Sequence, residues 1–178
     1  KAYSKLVKAV KPEIDWLYET RCDRCDGRAI IAYTVYSQVY QCPRCLEKVA
    51  LFDCPEVTIT IKTGKSKKIR VCRYCKEKGH KEEISTRSTT FGSIPVATSY
   101  FCEDGCSPKR DERKHNDPNP KKRSYFENFD MKKILEIENR KIPYWQPDID
   151  MIRGQETTRN AHIAGGDWYT VSDLFTKR

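Results

Sequence analysis

Residues 22–45 begin and end on paired cysteines: Cys22-Asp-Arg-Cys25, sixteen intervening residues, then Cys42-Pro-Arg-Cys45. A tight turn between two cysteines aims both thiolates at one point, and a second such turn completes a tetrahedral S4 set. The spacing is the C-x2-C…C-x2-C pattern of a zinc ribbon. Between the pairs, Arg28 to Tyr36 is rich in Ile, Val, Tyr and Thr and reads as a strand. Ser37-Gln38 is expected to turn it back into Val39-Tyr40-Gln41, so that a β-hairpin carries Cys42 and Cys45 over Cys22 and Cys25. Two further pairs, Cys72-Arg-Tyr-Cys75 and Cys102-Glu-Asp-Gly-Cys106, are separated by twenty-six residues and form a second expected set.

The alternative for so many cysteines is a disulfide framework. The total is nine, an odd number, and no secretory signal stands at the start of the sequence. Cysteines two residues apart suit a metal knuckle better than a structural disulfide. Two zinc ions are therefore expected, although iron takes the same S4 ligands and stays open. His80 is a reserve ligand, because Cys72-x2-Cys75-x4-His80 begins like a zinc knuckle. That pattern needs a cysteine where Ser85 stands, so Cys102 and Cys106 are preferred as closing ligands. His115 and His162 have no ligand-like spacing. Cys54 stands outside the pairs and reads as a small buried side chain.

The chain has 178 residues, of which 38% are hydrophobic, a low share for a self-sufficient core. A structural zinc offsets that shortage with about 10–16 kcal/mol of apparent binding energy. The fold class expected is a small, metal-stabilised α+β chain, zinc-ribbon hairpins with flanking helices. No apolar run is long enough to span a membrane. Free thiolates without a signal suggest a reducing, cytoplasmic setting. Net charge is +9, from 34 basic and 25 acidic residues, which favours a polyanion, most simply nucleic acid.

Residues 1–20 read as a helix whose Leu6, Val7, Val10, Ile14 and Leu17 make one apolar packing face, with Pro12 expected to kink or split it. Residues 21–54 are the first ribbon. Its Tyr33, Tyr36 and Tyr40 can stack on bases, but covering a small core is their default role. Residues 55–106 hold a hairpin and the second zinc-binding unit. In the hairpin, Val57, Ile59 and Ile61 alternate with threonines and Gly64 marks the turn. Lys62, Lys65, Lys67, Lys68 and Arg70 cluster around its tip. They suit phosphate contact, and equally a charged edge that blocks aggregation. Residues 107–123 read as a basic linker. From 124 to 141 a helix is expected to start on a Ser124…Glu127 capping box, and the remainder to 178 docks as a tail. Nothing there forms an acid–base pair or a nucleophile with its base. The chain begins at Lys1 without a methionine and ends soon after Ser172, a plausible helix N-cap, so it reads as a piece of a longer protein.

Several stretches together resemble the zinc-ribbon-containing adenine-specific DNA methyltransferases, which depend on S-adenosylmethionine. They are Trp16-Leu-Tyr-Glu-Thr-Arg-Cys22, Ala32-Tyr-Thr-Val-Tyr36, Cys42-Pro-Arg-Cys45, Ile142-Pro-Tyr-Trp145 and Asp173-Leu-Phe-Thr176. Residues 55–141 match only loosely. The family's F-x-G-x-G cofactor loop and [DNS]-P-P-[FYW] catalytic tetrad do not occur in this sequence. The resemblance implies a segment between those motifs that is non-catalytic by itself, contacts DNA or helps recognise the target, and partners the rest of the methyltransferase chain. S-adenosylmethionine would then belong to the full-length enzyme. Two other readings stay open: a stand-alone zinc-ribbon adaptor for RNA or protein, and a purely structural brace of a methyltransferase core.

Overall fold

A computed structural model describes residues 2–61, 64–85, 88–141 and 149–150. In chain order the elements are helix α1 (Ala2–Tyr18) and strands β1 (Glu19–Arg21), β2 (Arg28–Gln41) and β3 (Lys48–Ala50), then a 3-10 turn (Leu51–Asp53). Strands β4 (Glu56–Thr60) and β5 (Ser66–Arg70), helix α2 (Arg73–Glu77) and strands β6 (Thr90–Cys102) and β7 (Arg110–Lys114) follow. Helix α3 (Pro120–Tyr125), a π-helical turn (Phe126–Met131) and helix α4 (Lys132–Asn139) complete the described chain. Strands β1, β2, β6 and β7 lie side by side in that order, with β3 also on β2, while β4 and β5 make a separate sheet. The registered pairs are antiparallel, so the class is α+β with antiparallel sheets.

The decisive departure from expectation is β2. No hairpin forms at Ser37-Gln38, and the strand runs straight through to Gln41. A two-residue hairpin turn wants residues that adopt positive φ, and Ser-Gln supplies none. Ser37 is instead a buried strand residue whose Oγ accepts from the Phe52 amide at 3.0 Å. The hairpin that was expected to return Cys42 to Cys25 therefore does not form.

The chain divides into two compact units, with boundaries inside β2 after Val35 and inside β6 before Pro95. In the first unit, Cys22, Ala29, Tyr100 and Cys102 form the buried cluster, with Cys106 against it. The stretch expected as a linker supplies β7 here, registered on β6 from Ala97↔Lys114 to Phe101↔Arg110. Composition alone concealed this strand, because all five of its residues are charged. The following helix starts earlier than expected. Asn119 Oδ1 accepts from the Lys121 amide at 2.9 Å, and Pro120 presets the first turn. Ser124 is already helical and its Oγ accepts from Asn128 Nδ2 at 3.0 Å, so no capping box forms. Helix α1 continues through Pro12. Its apolar face is not a packing face among the described residues: Leu6, Val7, Val10 and Ile14 are exposed. The helix is held near its end, where Lys133 and Arg140 lie over the Trp16 ring at 4.1 and 4.9 Å.

In the second unit the core is Tyr40, Cys42, Val49, Cys54, Cys72, Cys75 and Ile84. The expected hairpin is present as β4–β5, registered from Glu56↔Arg70 to Thr60↔Ser66, and Gly64 takes φ +77° in its turn. Both clusters are largely cysteine, so each core is built around its thiols.

Candidate metal centres

The structure gathers the eight paired cysteines into two groups of four: Cys22, Cys25, Cys102 and Cys106, and Cys42, Cys45, Cys72 and Cys75. All eight expected ligands are used, but the assignment of pairs to sites is corrected. The first pair joins the fourth, and the second joins the third. The missing turn at Ser37-Gln38 is the cause, since only that hairpin was expected to join the first two pairs. At one end of β2 the Glu103 amide donates to the Arg28 carbonyl at 3.0 Å, which brings the end of β6 and its Cys102 beside the first pair. At the other end Gln41 N donates to Thr89 O at 2.9 Å.

Within each group the four Sγ atoms lie within 4.8 Å of one another. Close pairs are Cys25–Cys102 at 3.6 Å, Cys22–Cys106 at 3.9 Å, Cys42–Cys75 at 3.6 Å and Cys45–Cys72 at 3.7 Å. A tetrahedral ion with Zn–S bonds of about 2.3 Å requires S···S edges of about 3.8 Å. Disulfide sulfurs would lie about 2.05 Å apart. All nine cysteines are free, so each group can hold one metal ion.

Two of the four pairs share one local design. Cys22 N donates to Gly27 O and Asp26 N to Cys22 O; Cys42 N donates to Glu47 O and Leu46 N to Cys42 O. The residue after the second cysteine closes each loop at positive φ, 61° for Asp26 and 64° for Leu46. The Leu46 conformation is strained for a side chain with a Cβ. The third pair differs, because Cys72 sits at the N-cap of α2 and Cys75 lies one turn into the helix. The fourth is a wider loop turned by Gly105 at φ 81°. It locks onto the first pair through Asp104, whose Oδ2 accepts from Arg28 N at 3.0 Å. A Cβ on Gly27 would lie 1.6 Å from that oxygen, so glycine permits the approach.

The thiols titrate unequally. Burial pushes Cys22 up, but the amides of Cys25 and Arg24 outweigh it and bring the thiol down to about 6. Burial likewise opposes, and the Cys45 and Arg44 amides cause, the lowering at Cys42. Cys106 is pushed up to about 12 by hydrogen bonding with Cys25 and Cys102, and Cys75 to about 12 by burial and its three neighbouring thiols. In each group one thiol is thus held down and another up, and a bound dication would favour the thiolate at all four, because ligation needs deprotonated sulfur.

Behind the first centre lies a buried polar network that sequence reasoning missed. Arg113, fully buried on β7, grips Asp130 in two bonds of 2.6 Å. It also donates to Thr20 Oγ1 at 2.6 Å and Arg21 O at 2.7 Å, and stands 3.7 Å from Asp23. Tyr100 donates its hydroxyl to Asp23 and lies 3.9 Å from Cys22 Sγ. The π-helical turn supplies Asp130. No local pattern announces the network, since Arg113 lies in a run of charges and its partners are 17 and 93 residues away. Behind the second centre the packing is mostly apolar, with the Arg73–Asp53 pair at 3.5 Å at its edge. Cys54 takes the expected packing role there: it is outside the ligand group, and burial raises it to about 11. His80 is no ligand either, since its Nε2 lies 3.2 Å from Arg44 Nη2.

The basic hairpin is largely engaged with acidic and carbonyl groups of the fold. Lys67 pairs with Glu83 and Lys68 with Glu56, both at 3.0 Å. Arg70 donates to Leu51 O at 3.1 Å and Cys54 O at 3.4 Å. Lys65 is exposed near the tip. Lys62, His162, Ile142-Pro-Tyr-Trp145 and Asp173-Leu-Phe-Thr176 lie outside the described residues. Of the three tyrosines, Tyr40 is in the core, whereas Tyr33 and Tyr36 are exposed. His115 packs its ring 6.5 Å from Phe126. No helix among the described residues is long and apolar enough to cross a membrane. No protein-family model, curated protein or solved structure matches this chain.

Proposed function

We propose that this chain is a zinc-stapled, DNA-contacting segment of an S-adenosylmethionine-dependent DNA methyltransferase, non-catalytic by itself. The observation that carries the metal half is the gathering of eight cysteines into two S4 sets with edges of 3.6–3.9 Å. Zinc suits a closed set of four thiolates that leaves no open coordination position, which is a structural rather than catalytic arrangement. Holding such sites needs a reducing compartment, in keeping with a cytoplasmic protein.

The DNA half is supported by the net charge of +9 and by the basic β4–β5 hairpin. The methyltransferase context is supported by the resemblance of residues 12–54 and 142–178, and the cofactor would be held by the rest of that enzyme. The test is titration of zinc-loaded protein with a labelled duplex at several salt concentrations, alongside calorimetry with S-adenosylmethionine. The expected results are duplex binding that weakens steeply with salt and no binding of the cofactor by the isolated chain. Absence of duplex binding at low salt would favour the structural-brace reading. Micromolar binding of the cofactor would overturn the assignment as a non-catalytic segment.

A further inference from the structure

We propose that Tyr33, Phe101 and Arg110 form a stacking platform for unpaired bases of single-stranded DNA. The three residues stand on the adjacent strands β2, β6 and β7 of the first unit. Tyr33 is 44% exposed and Phe101 39% exposed. The Arg110 guanidinium carbon lies 5.1 Å from the Tyr33 ring centre and 5.7 Å from that of Phe101. Arg110 is directly opposite Phe101 in the β6–β7 register. Its Nε is fixed by a 2.9 Å bond to Ser99 Oγ. Among the described residues, its terminal nitrogens have no carboxylate within ion-pair distance and no protein acceptor.

The chemistry of this surface selects its ligand. Two exposed rings flanking a cation offer π-faces to flat, polarisable groups, and base–aromatic stacking is tolerant of sequence. The Arg110 fork, which has no carboxylate partner among the described residues, suits the phosphate that accompanies each base. A duplex keeps its base faces stacked internally, so the ligand is an unpaired strand. The platform rests on the DNA-binding part of the proposed function and is distinct from the β4–β5 hairpin.

The experiment uses the zinc-loaded 178-residue chain and fluorescence anisotropy with three probes. They are an oligo-deoxythymidine of about twelve nucleotides, an abasic strand of equal length, and a duplex; the single strands fall within the roughly 4–16 nucleotide range of such sites. The native chain should bind oligo-deoxythymidine about 5- to 150-fold more tightly than the abasic strand, the range for one stacked base. Combining Tyr33→Leu with Phe101→Leu should abolish that preference while zinc content and duplex affinity stay unchanged. Equal affinity of the native chain for thymidine and abasic strands would overturn the platform without any variant. Duplex binding persisting in that case would leave the DNA-contact reading standing. Failure to bind any of the three at low salt would overturn both.

Discussion

The two metal centres have the same four ligands and opposite surroundings. The centre at Cys22, Cys25, Cys102 and Cys106 is backed by a buried polar network: the ions of Arg113, Asp130 and Asp23, and the neutral Tyr100 hydroxyl that donates to Asp23. The centre at Cys42, Cys45, Cys72 and Cys75 is backed by Tyr40, Val49, Cys54 and Ile84. A tetrathiolate site holding a dication carries a net charge of about −2. In the first unit Arg24 and Arg113 lie on the side of that charge, and Arg24 Nε stands 3.6 Å from Asp111 Oδ2. Burial would lower the arginine, yet Cys22 holds it above its ordinary value. In the second unit the helix start at Cys72 and ordinary packing serve instead. Similar thiol chemistry is thus compatible with two kinds of support, and the kinds fail differently. Removing one member of an ion network leaves a buried charge, whereas removing an apolar side chain leaves only a void.

The largest expected effect tests whether the centres are separate as the structure pairs them. Replacing Cys22, Cys25, Cys102 and Cys106 together by Ser should leave about one zinc per chain, because the other four thiolates remain a complete set. Pairing in sequence order would instead spoil both sites, and elemental analysis would find almost none. Each lost ion removes apparent binding energy of about 10–16 kcal/mol, so the first unit should unfold outright. Amide hydrogen exchange should show its strands losing protection while β4 and β5 keep theirs.

Next come single substitutions behind each centre. Asp130→Ala leaves Arg113 buried without its carboxylate and should destabilise the first unit by about 3–5 kcal/mol. Ile84→Ala opens a void beside the second centre and should cost about 2–5 kcal/mol, toward the lower end if the neighbours relax into it. The comparison sharpens in the rescue. An apolar replacement of both Arg113 and Asp130 should recover much of the loss, since the ionic pair then leaves no orphan. Chemical unfolding monitored unit by unit is the measurement. Equal losses for Asp130→Ala and the apolar double variant would mean that the network acts through volume and not charge.

The ligands were legible in the sequence and their partners were not, for a local reason. Two cysteines separated by two residues, or by three in Cys102-Glu-Asp-Gly-Cys106, define a knuckle locally, so all eight could be named. Which knuckles meet depends on whether Ser37-Gln38 turns, a decision taken by strand pairing with β6 far away in the chain. The hairpin at residues 56–70 was readable because alternation and Gly64 are both local signals. The β7 strand was not, because Arg110, Asp111, Glu112, Arg113 and Lys114 show no apolar alternation. The residue that buries is the charged Arg113, and only the distant Asp130 and Thr20 make that burial tolerable.

The smallest effect concerns the hairpin, and it is read in binding and not in stability. Lys67 and Lys68 are held in exposed ion pairs with Glu83 and Glu56. Such pairs contribute about 0–1 kcal/mol, so combining Lys67→Ala and Lys68→Ala should leave the unfolding midpoint nearly unchanged. The same weakness lets DNA phosphates replace the carboxylates. If both lysines neutralise phosphates, each contributes about 0.9 to the log–log salt slope, and the double variant should flatten it by about 2 units. Affinity for duplex at low salt should fall while zinc content stays constant. An unchanged slope would show that the two carboxylates keep these lysines and that the edge serves against aggregation. Duplex contact would then fall to the basic residues of β7 and its flanks, Lys109, Arg110 and Lys121, while Lys122 stays tied to Asp111 at 2.7 Å.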